Sequence, residues 1–161
     1  MYEAGDRVIY PLHGTAIIKK IIKKKVKDES LKFYVLEIPE EKLTIQIPIV
    51  AAEEIGLRKV VSSKKAEEVL KTLLKKRKSK ISKNWNRRFK KNIEKLKRND
   101  VIDLAEVVRN LSLRKRDSGL SIGEKRMLEK AKKMLVSEIS YAQNINEEEA
   151  LAKVESCFIK N

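Results

Sequence analysis

Trp85 is the only tryptophan of the 161 residues. It stands in the stretch NWNRRFKKNIEKL, residues 84–96, beside Arg87, Arg88, Lys90, Lys91 and Lys95. An indole among cations suits nucleic acid. Guanidinium and ammonium groups hold phosphates without reading sequence. A ring face stacks on a base or wedges a base step. Other residues able to do chemistry are sparse. His13, the only histidine, lies in YPLHGT, a turn context. Asp100 and Asp103 stand three apart at a helix start, a spacing that capping alone explains. No base–nucleophile pair with an orienting partner is legible, and no carboxylate cluster of the kind metal-dependent nucleases use. Cys157 is the only cysteine, which excludes an intramolecular disulfide and a cysteine-rich zinc site. The chain reads as a binding protein rather than an enzyme, with no cofactor and no metal.

The charge supports a polyanionic partner. The chain carries net +15, but not evenly. Residues 1–60 hold 11 basic and 9 acidic groups, residues 99–161 hold 11 of each, and residues 71–98 hold 14 basic groups against Glu94 alone. One segment therefore makes nearly all of the field, as a phosphate-facing surface would. A solvated lysine-rich helix pair is the plain alternative. The N-terminus MYEAGDRVIY lacks the pattern of a signal peptide, and no apolar run approaches the roughly 20 residues of a membrane span. A cytoplasmic location is expected.

Two kinds of element must carry these residues. Residues 6–11, 13–22, 31–38 and 43–49 are β-branched or alternating, with turn chemistry at Pro11–Gly14, Asp28–Ser30 and Glu40–Lys42. Short, closely spaced strands predict a small barrel over 1–60. Beyond Gly56 and Ser62–Ser63 the period becomes helical. Ala66, Val69, Leu70, Leu73 and Leu74 form one stripe behind Ser62 or Ser63 as N-cap. The basic connection KKRKSKISK, 75–83, leads to the Trp85 helix. Asp100 opens a helix with Val101, Leu104, Ala105, Val108 and Leu111 on one face. Ser121 and Glu124 form a capping box ahead of Leu128, Ala131, Leu135 and Ile139. Asn146 and Glu149 repeat the device before Leu151, Val154 and Phe158. The expected fold is α+β: a β-barrel, then an all-α bundle of about five helices over 61–161.

On a wheel of about 100° per residue, Trp85, Phe89, Ile93 and Leu96 make one narrow apolar arc, with the cations, Arg88 included, opposite. Trp85 falls on the rim of the arc, next to Asn92 and Arg88, and at the helix start. Geometry alone leaves two roles open for it, a cap on the core stripe or a ring offered to a base.

Several segments resemble a known family. GDRVIYPLHGTAII (5–18), YVLEI (34–38) and LTIQIPI (43–49) resemble the polymerase-interacting module of bacterial CarD/CdnL proteins, a module that transcription-repair coupling factor shares. NWNRRFKKNIEKLKRNDVIDLAEVVRNL (84–111) and GLSIGEKRMLEKAKKML (119–135) resemble their helical second domain. The resemblance spans nearly the whole chain in order. The coupling factor itself is excluded, since the chain has no P-loop and is too short for a helicase. The resemblance implies a Tudor-like (SH3-like) barrel that pairs with the β-subunit lobe or protrusion of RNA polymerase. It implies a helical domain that meets promoter DNA, without sequence preference, at the upstream edge of the melted bubble. The wedge role falls on Trp85, with Arg87, Arg88, Lys90, Lys91, Arg114 and Lys125 on the DNA side. The polymerase side falls on Lys24, Val26, Leu43, Thr44, Ile45, Gln46 and Ile47. Family members carry an arginine where this chain has Gln46, a departure that removes a charge from the polymerase contact. The expected result is a monomeric, nucleoid-associated regulator that stabilises the open promoter complex. A general nucleic-acid-binding or ribosome-associated protein is the competing expectation, with a membrane-surface helix behind it.

Overall fold

The computed structural model describes residues 1–75 and 83–158. The chain divides into two compact units, residues 1–60 and 61–161. The connection at 75–83 lies almost wholly outside the described residues.

The first unit is a five-stranded antiparallel sheet: β1 (Arg7–Tyr10), β2 (Gly14–Val26), β3 (Glu29–Ile38), β4 (Leu43–Pro48) and β5 (Arg58–Lys59). A four-residue helix, α1 (Ala52–Ile55), precedes β5. The strand order is β4-β3-β2-β1-β5, so β4 and β5 are the edges and do not pair. The expected α+β class holds, but the sheet is not closed, so barrel describes it only loosely. The segment that could have closed it is only two residues long and pairs back onto β1. Alternation builds the core: Tyr34, Leu36 and Ile38 point to the same side as Val8, Ile18 and Ile47, over Ala52 and Leu57. Tyr2 closes the unit, since its hydroxyl donates to the Leu57 carbonyl at 3.1 Å and its backbone N–H donates to the Tyr34 hydroxyl at 2.9 Å.

The β2–β3 hairpin is longer than its sequence suggests. Pairing runs on to Val26 and Glu29 around Lys27 and Asp28, both left-handed at φ 50° and 65°. That is the two-residue turn whose twist matches antiparallel strands. KKKV shows no alternation because this part of the ribbon is exposed on both faces.

The second unit holds α2 (Ser63–Leu74), α3 (Trp85–Lys97), α4 (Val101–Asp117), α5 (Ile122–Gln143) and α6 (Glu147–Ser156). Ser62, Asn84, Asp100, Ser121 and Asn146 cap the five N-termini by accepting backbone N–H groups. The core gathers Leu73, Val108, Leu111, Ala131, Leu135 and Val154. Two expected core residues instead face outward: Leu74 is 63% exposed, and Leu151 is 38% exposed while Ala150 takes the inner position. Glu138, fully buried, accepts the Val61 backbone N–H at 3.1 Å and so ties α5 to the chain entering α2.

Candidate nucleic-acid interface

Asn84 fixes where α3 starts, because its side chain accepts the Arg87 backbone N–H at 3.2 Å. Trp85 is then the first helical residue, and 43% of it is exposed. Phe89, one turn on, stacks beneath it, with ring centroids 5.3 Å apart and planes 20° from parallel. The floor under both rings is the bare backbone of Gly123 in the first turn of α5. A Cβ there would stand 3.5 Å from Phe89 Cε2 and 3.8 Å from Trp85 Cζ2. The indole N–H donates to Ser121 Oγ at 2.6 Å.

Ser121 belongs to a polar network that joins α3 to α5. Its hydroxyl caps Glu124 N at 3.2 Å and donates to Glu124 Oε1 at 3.1 Å. The Glu124 carboxylate, 1% exposed, takes both Nε and Nη2 of Arg88 at 3.0 Å. Arg88 Nη1 also donates to the Lys83 carbonyl at 3.1 Å. Burial alone would raise the Glu124 pKa. The hydrogen bonds from Arg88 and Ser121, with the Arg88 charge, outweigh burial and hold the group below its ordinary value. Arg114 Nε lies buried 4.0 Å from Glu124 Oε2 without a hydrogen-bond partner.

Two expectations change here. Arg88 is not an outward phosphate contact: it is 6% exposed and committed to Glu124. Asn92, also 6% exposed, lies on the same inner face. The buried arc of α3 is thus wider than its apolar residues, because a buried carboxylate on α5 makes an inward guanidinium favourable. Trp85 is exposed because it begins the helix, not because it sits on the rim.

The remaining cations divide clearly. Lys95 pairs with Glu106 at 2.9 Å, and Arg98 lies 3.6 Å from Asp103. Burial and the neighbouring Asp100 carboxylate raise the Asp103 pKa, and Asp100 caps α4 by accepting the Ile102 and Asp103 backbone N–H groups. Arg87, Lys90, Lys91 and Lys125 are exposed and make no ion pair among the described residues. Arg114 is half-buried.

In the sheet unit, the expected polymerase-side residues fall on β2 and the edge strand β4. Val26 and Leu43 are about 40% exposed, at 40% and 39%, and Thr44 and Gln46 are exposed. Ile45 is half-buried, and Ile47, at 3%, belongs to the core, so the side chain of Ile47 is withdrawn from any partner. Lys24 crosses over Phe33, 5.7 Å from the ring centroid, and donates to Gln46 Oε1 at 2.8 Å. An arginine at position 46 would meet the Lys24 ammonium as a like charge, whereas the glutamine amide accepts from it. His13 sits in its turn and contacts Glu41, Nδ1 to Oε2, at 2.6 Å.

Comparison with known proteins matches both units. Residues 2–61 match the CarD-like/TRCF RID domain, and residues 68–155 match the CarD C-terminal domain. The chain belongs to the CarD family. A CarD relative, YdeB of Bacillus subtilis (strain 168), a candidate transcription factor, is 29% identical over 149 residues, covering 92% of this chain and 97% of its own. The CarD family is one of transcription regulators, and its first domain is Tudor-like, in agreement with the sheet seen here. Among the described residues, no helix of this CarD protein is long and apolar enough to cross a membrane. Sequence reasoning saw Ser121 and Glu124 only as a capping box. The signal it missed was the isolated indole, whose N–H needs an acceptor once it packs against a helix cap.

Proposed function

We propose that this protein is a cytoplasmic transcription regulator that docks on the β subunit of RNA polymerase and stabilises the open promoter complex. The free edge of β4, with Thr44 and Gln46 on it and Lys24 reaching Gln46 from β2, suits main-chain strand pairing with polymerase, and Val26 is exposed at the hairpin end of β2. Arg87, Lys90, Lys91, Arg114 and Lys125 neutralise phosphates at the upstream edge of the bubble, and Trp85 wedges the step there. The observation that carries the reading is the half-open indole of Trp85, braced on Phe89, with Arg87, Lys90 and Lys91 of the same helix exposed and in no ion pair among the described residues.

Unstacking a base step costs a few kcal/mol, so the ring does not open duplex alone. It holds a step that polymerase has opened. A stacking gain of about 1–3 kcal/mol per base corresponds to a roughly 5- to 150-fold shift toward the open state. Trp85→Ala is expected to keep polymerase binding and lose most of that shift, and Trp85→Phe to retain part. The check is open-complex lifetime alongside thermal melting and a pull-down with core polymerase. An unaltered lifetime with a large fall in melting temperature would return Trp85 to a purely structural role, and failure of the pull-down would favour a general nucleic-acid binder.

A further inference from the structure

We infer that Ser121 is the positioning residue of Trp85: its hydroxyl fixes the ring before any DNA arrives. The DNA part of the inference rests on the wedge proposed above, but the fixing of the ring stands on geometry alone. A serine hydroxyl has one donor and two acceptor lone pairs. Here all three are engaged: Ser121 Oγ accepts from Trp85 Nε1 and from Glu124 N, and donates to Glu124 Oε1. The hydroxyl cannot rotate without breaking a bond. Its carboxylate partner cannot move either, because Arg88 grips it with two nitrogens in a site almost closed to water. The indole is thus located on two sides, by stacking on Phe89 and by a 2.6 Å bond to a saturated oxygen. A ring ordered in advance avoids the entropy of ordering on binding. Its single N–H is committed, so it meets a base through its π-face without a donor for base edges.

The chemistry selects the residue. Threonine keeps the one-donor, two-acceptor pattern. Aspartate, ordinarily a good N-cap, would set a second carboxylate against Glu124. Glycine is nearly as good an N-cap as threonine, and it retains the backbone N–H that reaches Glu124 Oε1 at 3.3 Å, but offers the indole nothing.

Trp85 is the only tryptophan, so its fluorescence reports this ring in the intact free protein. Time-resolved anisotropy is measured without polymerase or DNA for wild type, Ser121→Gly and Ser121→Thr, with far-UV circular dichroism to verify folding. Ser121→Gly is expected to enlarge the nanosecond ring motion and Ser121→Thr to restore it. Open-complex lifetime is then measured with a bacterial RNA polymerase. Ser121→Gly should shorten it roughly 2- to 12-fold, the cost of ordering one side chain, and should have no further effect when added to Trp85→Phe, which lacks the N–H. Unchanged anisotropy in folded Ser121→Gly overturns the inference, since Phe89 alone would then hold the ring. An equal loss of lifetime in the Trp85→Phe background overturns it too, because Ser121 would act by another route. A freed ring in Ser121→Gly together with an unaltered lifetime in Trp85→Ala supports the positioning and sinks the wedge instead.

Discussion

Arg88 and Glu124 are the residues on which the geometry of α3 against α5 depends. Their bidentate pair is buried, so removing one partner strands a charge, at a cost of about 3–5 kcal/mol. Arg88→Met should therefore lower the melting temperature of the helical unit strongly. Combining it with Glu124→Met should recover part of the loss, because a buried ion pair replaced by apolar groups of similar volume is often near neutral, while Ser121 and the buried Arg114 Nε forfeit the carboxylate. The pair also predicts a pH response. The folded Glu124 pKa lies below its ordinary value of 4.5, so its stabilisation is full above about pH 4.5 and is lost as pH falls through the lower folded value. Thermal melts should fall more steeply in acid for the wild type than for Glu124→Gln, which has no such proton to take up. Parallel acid slopes for the two proteins would mean that other carboxylates dominate.

At the scale of elements, the β2–β3 hairpin carries an avoidable strain. Lys27 and Asp28 both occupy the left-handed region, where only glycine is free of a Cβ penalty. The turn still forms because nine cross-strand pairs, from Ile17 with Glu37 to Val26 with Glu29, specify it. Asp28→Gly gives the Xaa-Gly form favoured for such turns. It should stabilise the sheet unit by about 0.5–1 kcal/mol, the order of a relieved left-handed residue less the added chain entropy. For a unit of 60 residues that is a rise in melting temperature of roughly 2–8 °C. The β4 edge, by contrast, is unpaired by construction of the fold: β5 is two residues long and is taken by β1. An edge left open in this way is a template for another chain unless it is blunted, and Lys24, folded over Phe33 onto Gln46, lies near it.

For the whole molecule, the 14 basic groups of residues 71–98 overstate the cations that a polyanion meets. Of the cations of α3 and its C-cap, Arg88 is internal and Lys95 and Arg98 face acids, while Arg87, Lys90, Lys91 and Lys97 are open. DNA affinity should fall with salt on a log–log slope near −0.9 for each phosphate contacted. Arg87→Ala with Lys90→Ala should make the slope shallower by nearly two contacts, whereas the folded Arg88→Met, Glu124→Met protein should keep the wild-type slope. Equal changes in both would place Arg88 outside after all. The two units also have separate cores, one under the sheet and one within the helices. Trp85 belongs to the second, so tryptophan fluorescence should follow the helical unit alone during denaturant unfolding. Tyr2, Tyr10 and Tyr34, all in the sheet unit, report the first more than the second, with Tyr141 as the exception. Divergent transitions are expected, and coincident ones at every denaturant concentration would show the units to be coupled.

What the sequence determined by itself is whatever rests on local chemistry. The five helices after residue 62 follow from period and capping, and the caps Ser62, Asp100, Ser121 and Asn146 need only an oxygen a few atoms from a free N–H. The change from sheet to helix and the concentration of charge in 71–98 are equally local. Tertiary structure decided whatever depends on a partner far along the chain. That the sheet stays open, with Arg58–Lys59 paired to β1 and β4 left as an edge, is a matter of such long-range pairing. Arg88 looked like every other cation of its segment until Glu124, 36 residues on, was seen to lie buried against it. Ser121 looked like a cap, and only the approach of α3 made the same oxygen the anchor of an indole. A periodic pattern identifies which face of a helix is apolar, but the charge waiting on the neighbouring helix determines how far the buried face extends.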